Sequence, residues 1–335
     1  MNTPSSASGG VPEVAVAQSA RRRVTTPAVL DFMAANAVLV LFVAVFVWLS
    51  IASNAFLKPQ NIINILNQNA PLAIVATAGT FVIISGGFDL STGAMFAISN
   101  VVAAWLAVNV NPSFGLVVAP LAGALLGLVN GLIITRFRIH SFLATLATSL
   151  MYQSLALFIT GGFLIAVNET PAFTVLGRGQ IGPIYVAIFV LAVFAAAMVV
   201  LLNRTPFGRY VFAVGGNQEA ALLSGVQVNR IKIWAFTLSG LAAGLAGTIQ
   251  VSRIASGEPT AGADITLDAI ASIILGGTSI YGGAGAIWRS LVGVYLLALI
   301  GNGFNILNAN PFFIDLTTGI IIVGAVALSA SRRTR

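Results

Sequence analysis

The chain contains no cysteine and a single histidine, His140. Disulfide frameworks, thiolate zinc sites and iron–sulfur clusters are thereby excluded, and no metal, cofactor or catalytic constellation is expected. Charge is equally scarce. Asp, Glu, Lys and Arg make up 7% of the 335 residues, against roughly 25% in an average soluble protein. So few charges cannot cover the surface of a soluble domain of this length. Only two lysines are present, Lys58 after Leu57 and Lys232 after Ile231. The Gly-Lys pair of a phosphate-binding P-loop is therefore missing, and the chain cannot hydrolyse ATP by that route.

Apolar residues fill the space that charge leaves, at 58% of the chain. A helix needs about 20 apolar residues to cross the hydrocarbon core. The length and composition predict an all-α integral membrane protein with about ten transmembrane helices in a lipid bilayer. The expected spans are 33–53, 69–86, 90–109, 114–135, 142–161, 183–202, 232–252, 266–283, 286–307 and 312–330. The polar stretch 54–68, with Ile62, Ile65 and Leu66 at helical spacing, separates the first two. Gly-rich segments near 86–93 and 276–285 leave room for broken or re-entrant helices, which are tolerated only where protein or a cavity covers the backbone. Residues 1–31, Ser-, Ala- and Gly-rich with Arg21-Arg22-Arg23, read as a flexible tail. A signal peptide is the rival reading, but the run from Met33 to Ser53 exceeds the roughly 7–15 residues of a signal core. Residues 32–331 form one transmembrane domain with a basic loop at 203–232, and 332–335 form a basic end.

Charge provides a check on orientation. With ten spans and both termini cytoplasmic, every basic residue except Lys58, Arg178 and Arg253 falls inside, as the positive-inside rule requires. Topology thus accounts for the net charge of +7, and nucleic-acid binding is not needed.

The longest inside loop runs from Asn203 to Lys232. Asn217 suits a helix N-cap, Glu219 the first turn and Gly225 the C-cap. The spacing predicts a helix of about two turns outside the membrane. Ala220 and Ala221 leave one side smooth for packing against something else, and an ordinary polar connector is the alternative.

Glu219-Ala220-Ala221 followed by Gly225 resembles the "EAA…G" loop of permease subunits of ABC importers. Three further segments are similar to the ribose/monosaccharide branch of that family: Gly86-Gly87-Phe88-Asp89-Leu90-Ser91-Thr92-Gly93, Leu267-Asp268-Ala269-Ile270-Ala271 and Leu275-Gly276-Gly277-Thr278-Ser279. Gly282-Gly283-Ala284-Gly285 and Asn302-Gly303 continue the pattern, and the likeness covers roughly residues 35–330. Thr92, Ala94 and Trp288-Arg289 depart from it. The resemblance implies an ATPase-coupling loop comprising Gly208, Arg209, Gly215, Gly216, Asn217, Glu219, Ala220, Ala221 and Gly225. It also implies a bacterial inner-membrane subunit working with a separate ATP-binding subunit, a periplasmic or extracellular solute-binding protein and a second permease copy or paralogue. A small polar solute, such as ribose or another monosaccharide, would be the cargo.

Polar residues in apolar surroundings are the other candidates. Asp89, beside Gly86-Gly87 and Ser91, reads either as an N-cap at the membrane edge or as part of a gate. Asp268 and Asp315, in the first turns of their spans, suit helix-dipole partners near the interface. Asp89, Ser91, Asn130, Asp268 and Asn302 are the pathway or gate candidates, with interhelical hydrogen bonding the alternative for the two asparagines. Gly123, Gly127 and Gly131, like Gly240, Gly244 and Gly247, form small-residue stripes for close helix contact or a subunit interface. The loops at 162–182, with Glu169 and Arg178, and at 253–265, with Glu258 and Asp264, are candidate docking surfaces.

An ion-coupled secondary transporter is the alternative function. Such proteins place ionisable residues mid-span, whereas the nine carboxylates here read as lying in tails, loops or span ends. An intramembrane hydrolase would need a nucleophile and base paired in the bilayer, and His140-Ser141 are merely sequence neighbours.

Overall fold

A computed structural model describes residues 37–310 and, beyond them, residues 313, 316, 317, 319, 320 and 323. The expected tail at 1–31 with Arg21–Arg23, the start of the 33–53 span, Asp315, most of the 312–330 span and the basic end at 332–335 lie outside the described residues.

The described chain is built of helices. In chain order they are α1 (Ala37–Ala52), α2 (Pro59–Ile84), α3 (Thr92–Asn109), α4 (Pro112–Phe137), α5 (Ser141–Thr160), α6 (Pro171–Arg178), α7 (Val186–Arg204), α8 (Pro206–Gly216), α9 (Gln218–Leu223), α10 (Val228–Ile254), α11 (Ile265–Leu275) and α12 (Ile287–Ile306). Two small antiparallel ladders lie in the connections. Ile165–Ala166 pairs with Ser256–Gly257, and Gln180–Ile181 pairs with Ile184–Tyr185.

Seven of these helices are long and apolar enough to cross a membrane: α2, α3, α4, α5, α7, α10 and α12. Two corrections to the expected spans follow. The helix of the span expected at 69–86 starts earlier, because most of the polar stretch 54–68 forms the first turns of α2. Pro59 at N1 fixes a helical φ, and buried Ile65 and half-buried Ile62 turn toward the bundle at the spacing noted above. The segment 266–283 is not a full span, because α11 ends at Leu275 after 11 residues. Those residues rise about 16 Å, roughly half the hydrocarbon thickness. The chain then loops through Gly276–Ala286 into α12.

Glycine lets α4 and α10 touch along their backbones. A Cβ at Gly123 would strike the Gly240 carbonyl, one at Gly127 the Phe236 carbonyl and one at Gly131 the Ile233 backbone. The α4 stripe therefore packs on α10 beside Gly240 and Gly244, while Gly247 packs on Phe96 and Asn100 of α3; this is the bundle-packing outcome, and close backbone approach replaces side-chain interlock.

α2 carries an internal proline, Pro71, which has no N–H for the Asn67 carbonyl one turn back. The Arg253 guanidinium of α10 donates there instead, at 3.5 Å, and to the Gln68 carbonyl at 3.2 Å. α2 is also tied to α12 by a buried hydroxyl pair, Thr80 and Ser290, at 2.8 Å.

Candidate functional site

The break between α2 and α3 is built from polar side chains of three other helices. α2 ends at Ile84, and Gly86 turns the chain with φ +80°, a left-handed conformation open to glycine. The backbone then runs on without helical bonds of its own. Ser141 Oγ of α5 accepts from the Phe88 amide at 3.0 Å, and Thr145 Oγ1 accepts from the Leu90 amide at 3.0 Å. An irregular segment deep in a membrane protein requires this kind of satisfaction.

Asp89 is the hub of this break. Its Oδ1 accepts from the Ser91 amide at 3.1 Å and from Ser91 Oγ at 2.6 Å, and its Oδ2 accepts from Ser239 Oγ of α10 at 2.8 Å. Asn130 Nδ2 of α4 donates to Ser91 Oγ at 2.7 Å, and the Tyr152 hydroxyl of α5 donates to Asn130 Oδ1 at 3.0 Å. All five residues are buried. The N-cap position of α3 belongs to Ser91, so Asp89 is not the cap itself, though it does accept a backbone N–H. Its partner Ser239 lies about three turns into α10. The break climbs along α10 instead of turning at its end. Ser239, Tyr152, Ser141 and Thr145 were missed by sequence reasoning, since an isolated hydroxyl in an apolar run carries no signal of its partner.

The second break meets the first at a knot of glycine backbones. The Gly283 amide donates to the Ile84 carbonyl at 2.8 Å. Gly215, in the last turn of α8, lies so close that a Cβ there would collide with that carbonyl and with the Gly283 nitrogen. A Cβ at Gly282 would meet Gly86 and the Gly215 carbonyl. The two breaks and the end of α8 thus converge with almost no side chain between them.

α9 leaves this knot directly. The stretch 203–232 is more helical than expected, since α8 precedes α9 and is capped by Thr205 Oγ1 accepting from the Gly208 amide. The expected two-turn helix is present as six residues. Asn217 Oδ1 caps it by accepting from the Ala220 amide at 2.9 Å, and Gly225 follows with φ +82°. Glu219 and Ala220 are exposed, whereas Ala221 is buried against the chain's own core. The alanine pair therefore splits: the α9 underside packs on the body, and Glu219, Ala220, Leu222 and Leu223 face outward. Arg209 and Gly216 are also exposed, and Gly208 is buried. Beside α9 a cavity of about 900 Å³ is lined by Arg138, His140, Gln218, Arg230 and Lys232, among others. Lys232 Nζ donates to Gln218 Oε1 at 2.7 Å, joining α9 to α10.

Asp268 and Asn302 come together elsewhere. They line a cavity of about 280 Å³ between α2, α11 and α12, with Gln68, Asn69 and Asn305. Asn302 also exchanges two hydrogen bonds with Asn61 of α2, at 3.0 and 3.2 Å, so it helps hold the wall it lines. The five pathway candidates thus fall into two groups: Asp89, Ser91 and Asn130 in the buried brace, and Asp268 and Asn302 in the cavity. Sequence reading passed over Gln68, at the end of the polar stretch 54–68, and Asn69, at the start of the expected span 69–86, because neither reveals its neighbours on α11 and α12.

At the opposite end of α10 the 162–182 connection is pinned down. Ser252 Oγ accepts from the Gly177 amide and donates to the Phe173 carbonyl, at 2.9 and 2.7 Å. Arg178 and Glu169 form an exposed ion pair at 2.9 Å. That contact holds the Glu169 carboxyl below its ordinary pKa and raises Arg178. Glu258 and Asp264 are exposed, but the loop carrying them is drawn inward: the Glu258 amide donates to Asn100 Oδ1 at 2.8 Å, and Gln153 Nε2 donates to the Pro259 carbonyl at 2.6 Å.

Apolar spans, two breaks braced from within and polar side chains collected between helices define a multi-pass membrane protein of transport type. A family described as "Branched-chain amino acid transport system / permease component" matches residues 61–326, and the chain belongs to this family of permease components. It is 40% identical over 294 residues to the ribose import permease protein RbsC of Bacillus subtilis, covering 87% of this chain and 91% of that one. It is 35% identical to RbsC of Escherichia coli K12 over 94% of this chain and 98% of that one. It is 36% identical to the L-arabinose ABC transporter permease protein AraH of Azospirillum brasilense, over 90% of this chain and 88% of that one. No solved structure matches the chain.

Proposed function

We propose that this chain is the membrane-spanning subunit of an ABC importer that moves a monosaccharide across the bacterial inner membrane. The observation that carries the reading is the agreement between near full-length similarity to ribose and arabinose permeases and the outward face of α9. That face presents Glu219, Leu222 and Leu223 outside the apolar helices, with Leu223 89% exposed. Exposed leucines on a rigid, capped turn suit a partner's cleft. The partner is a separate ATP-binding subunit, which performs the hydrolysis that this chain has no P-loop for. Gly208, Arg209, Gly215, Gly216, Asn217, Glu219, Ala220, Ala221 and Gly225 form the coupling segment. Displacement of α9 reaches both helix breaks through the glycine knot. Asp89, Ser91 and Asn130 brace one break, and Asp268 and Asn302 line the solute route.

Both termini are cytoplasmic in this reading, with α9 inside and Glu169, Arg178, Glu258 and Asp264 outside, where a solute-binding protein docks. A second permease copy or paralogue completes the pathway. The two conformations differ in partner affinity, and ATP and loaded binding protein shift their populations.

A gentle-detergent pull-down of the tagged chain tests the reading. An ATPase that copurifies, and is lost when residues 217–225 are altered, supports it. A chain that emerges alone and drives uptake on an ion gradient after reconstitution overturns it in favour of a secondary transporter.

A further inference from the structure

The cavity of about 900 Å³ beside α9 is walled by the last turn of α4, the connection Arg138-Ile139-His140, α9 and the first turns of α10. Its charge is one-sided. Arg138, Arg230 and Lys232 line it together with His140, and no carboxylate does. Among the described residues none of the three cations forms an ion pair. Lys232 Nζ gives one hydrogen bond to Gln218 and keeps two further donors. Helix electrostatics does not account for Arg230 and Lys232. They stand in the first two turns of α10, where the helix dipole disfavours cations, and no acidic residue accompanies them there. Cations gathered around a cavity without a counter-charge call for an anion.

The surroundings of the cavity point to the source of that anion. α4 and α10, of 26 and 27 residues, each rise about 40 Å, close to the roughly 40–45 Å of a bilayer with its headgroup layers. The end of α4 and the start of α10 border the cavity, which places it at headgroup level. One turn beyond Arg230, on the same face of α10, Trp234 is 58% exposed. Phe142, in the first turn of α5, is exposed as well. Such rings form the aromatic belt of a membrane protein, so apolar surface suited to acyl chains adjoins the basic wall. Glu219 and Leu223, offered above to an ATP-binding subunit, are not in the lining.

We propose that this cavity seats the phosphodiester headgroup of an anionic phospholipid, with Arg138, Arg230 and Lys232 as its phosphate ligands and Trp234 beside the acyl chains. A phosphodiester carries one negative charge on two unesterified oxygens, which the guanidinium forks and the ammonium meet. Lys232 also holds Gln218 of α9, so the bound headgroup joins α9 to α10. The site needs only that the chain lies in a bilayer and does not rest on the importer reading.

The test follows thermal unfolding of the purified full chain in a neutral detergent while short-chain phosphatidylglycerol, phosphatidylcholine or inorganic phosphate is added. We expect a saturable rise in melting temperature with phosphatidylglycerol and none with the other two. Arg138→Gln and Arg230→Gln, both at exposed positions, should each weaken the apparent affinity about fivefold, the equivalent of about 1 kcal/mol per basic residue at a lipid surface. Arg136→Gln removes an exposed cation outside the lining and should leave the affinity as in wild type. Equal responses to the two lipids overturn the proposal, as does an equal loss in Arg136→Gln. A response to inorganic phosphate as strong as that to phosphatidylglycerol also overturns it and gives the cavity to a free anion. The titration is repeated with the copurified ATP-binding subunit present. A retained lipid response supports the site, whereas its loss gives the cavity to the protein partner and overturns it. If no such subunit copurifies, the importer reading falls and the result on the chain alone stands.

Discussion

The amide of Gly283 donates to the carbonyl of Ile84 at 2.8 Å, and this bond ties the loop after α11 to the end of α2. Gly215 lies against both atoms of the bond. Three segments far apart in sequence therefore share a junction made of backbone, where side chains cannot cushion a shift. In such a contact a small displacement of one strand must be met by the others or break the packing.

Adjacent glycines in α8 should behave oppositely. Gly215→Ala places a methyl on the Ile84 carbonyl, whereas Gly216→Ala meets nothing within 4 Å. Overpacking of this kind costs about 1–3 kcal/mol. We expect a lowered melting temperature in detergent and weakened coupling of ATP hydrolysis to uptake for Gly215→Ala. Gly216→Ala should match wild type in both measurements.

The brace around Asp89 predicts a graded series. Asp89→Leu strands the Ser91 amide and the Ser91 and Ser239 hydroxyls, at about 1–3 kcal/mol for each buried group left unpaired. Folded yield should collapse. Asp89→Asn keeps one acceptor oxygen, and the Ser239 hydroxyl can rotate to accept, so folded protein should survive with reduced uptake. Tyr152→Phe removes one hydroxyl, the donor to Asn130 and to the Leu126 carbonyl, and should cost about 1 kcal/mol. Size-exclusion profiles and thermal denaturation rank the three.

On α9, Glu219→Lys and Gly225→Val should uncouple solute-stimulated ATPase activity without loss of folded chain. Glu219 is exposed, and Gly225 has φ +82°, which valine adopts only under strain. Asn217→Ala should weaken the same turn by about 1 kcal/mol through loss of its cap. ATPase stimulation in proteoliposomes is the readout, and normal stimulation in the first two variants would refute the coupling role.

The exposed pair Glu169–Arg178 predicts a small, acid-sensitive effect. Its hydrogen bond with Arg178 holds the folded-state pKa of Glu169 below the ordinary value, so its contribution is present above that ordinary value. The contribution is lost as pH falls through the depressed folded-state value. Solvent and salt screen the pair. Arg178→Gln should leave melting at neutral pH and physiological salt essentially unchanged. It should remove the low-salt difference in melting temperature between neutral and acid pH that this pair adds.

Much of this architecture was legible in the sequence because apolar length is a strong signal. The helices α3, α4, α5, α7, α10 and α12 begin and end within a few residues of the expected runs, and the Asn217 cap and Gly225 turn stand where their chemistry put them. What escaped depends on partners. Gln68 and Asn69, at the border between a polar stretch and an expected span, drew no notice because their own neighbours do not announce the cavity they form with α11 and α12. Asp89 read as a cap or a gate residue without its partner because nothing in its own neighbourhood announces Ser239, which approaches from α10. Ile265–Leu275 read as part of a span over 266–283, and the Gly-rich segment 276–285, marked as open to a break, is where the helix ends.

Arg253 has a consequence for how the protein is made. Its guanidinium serves the Asn67 carbonyl that Pro71 leaves without a donor, yet it enters the ribosome's product long after α2 has left. Until α10 arrives beside it, α2 carries a carbonyl that its own helix cannot satisfy. The early helix is therefore finished by the late one, and a chain cut short before Arg253 would leave α2 incomplete at the turn that Pro71 opens.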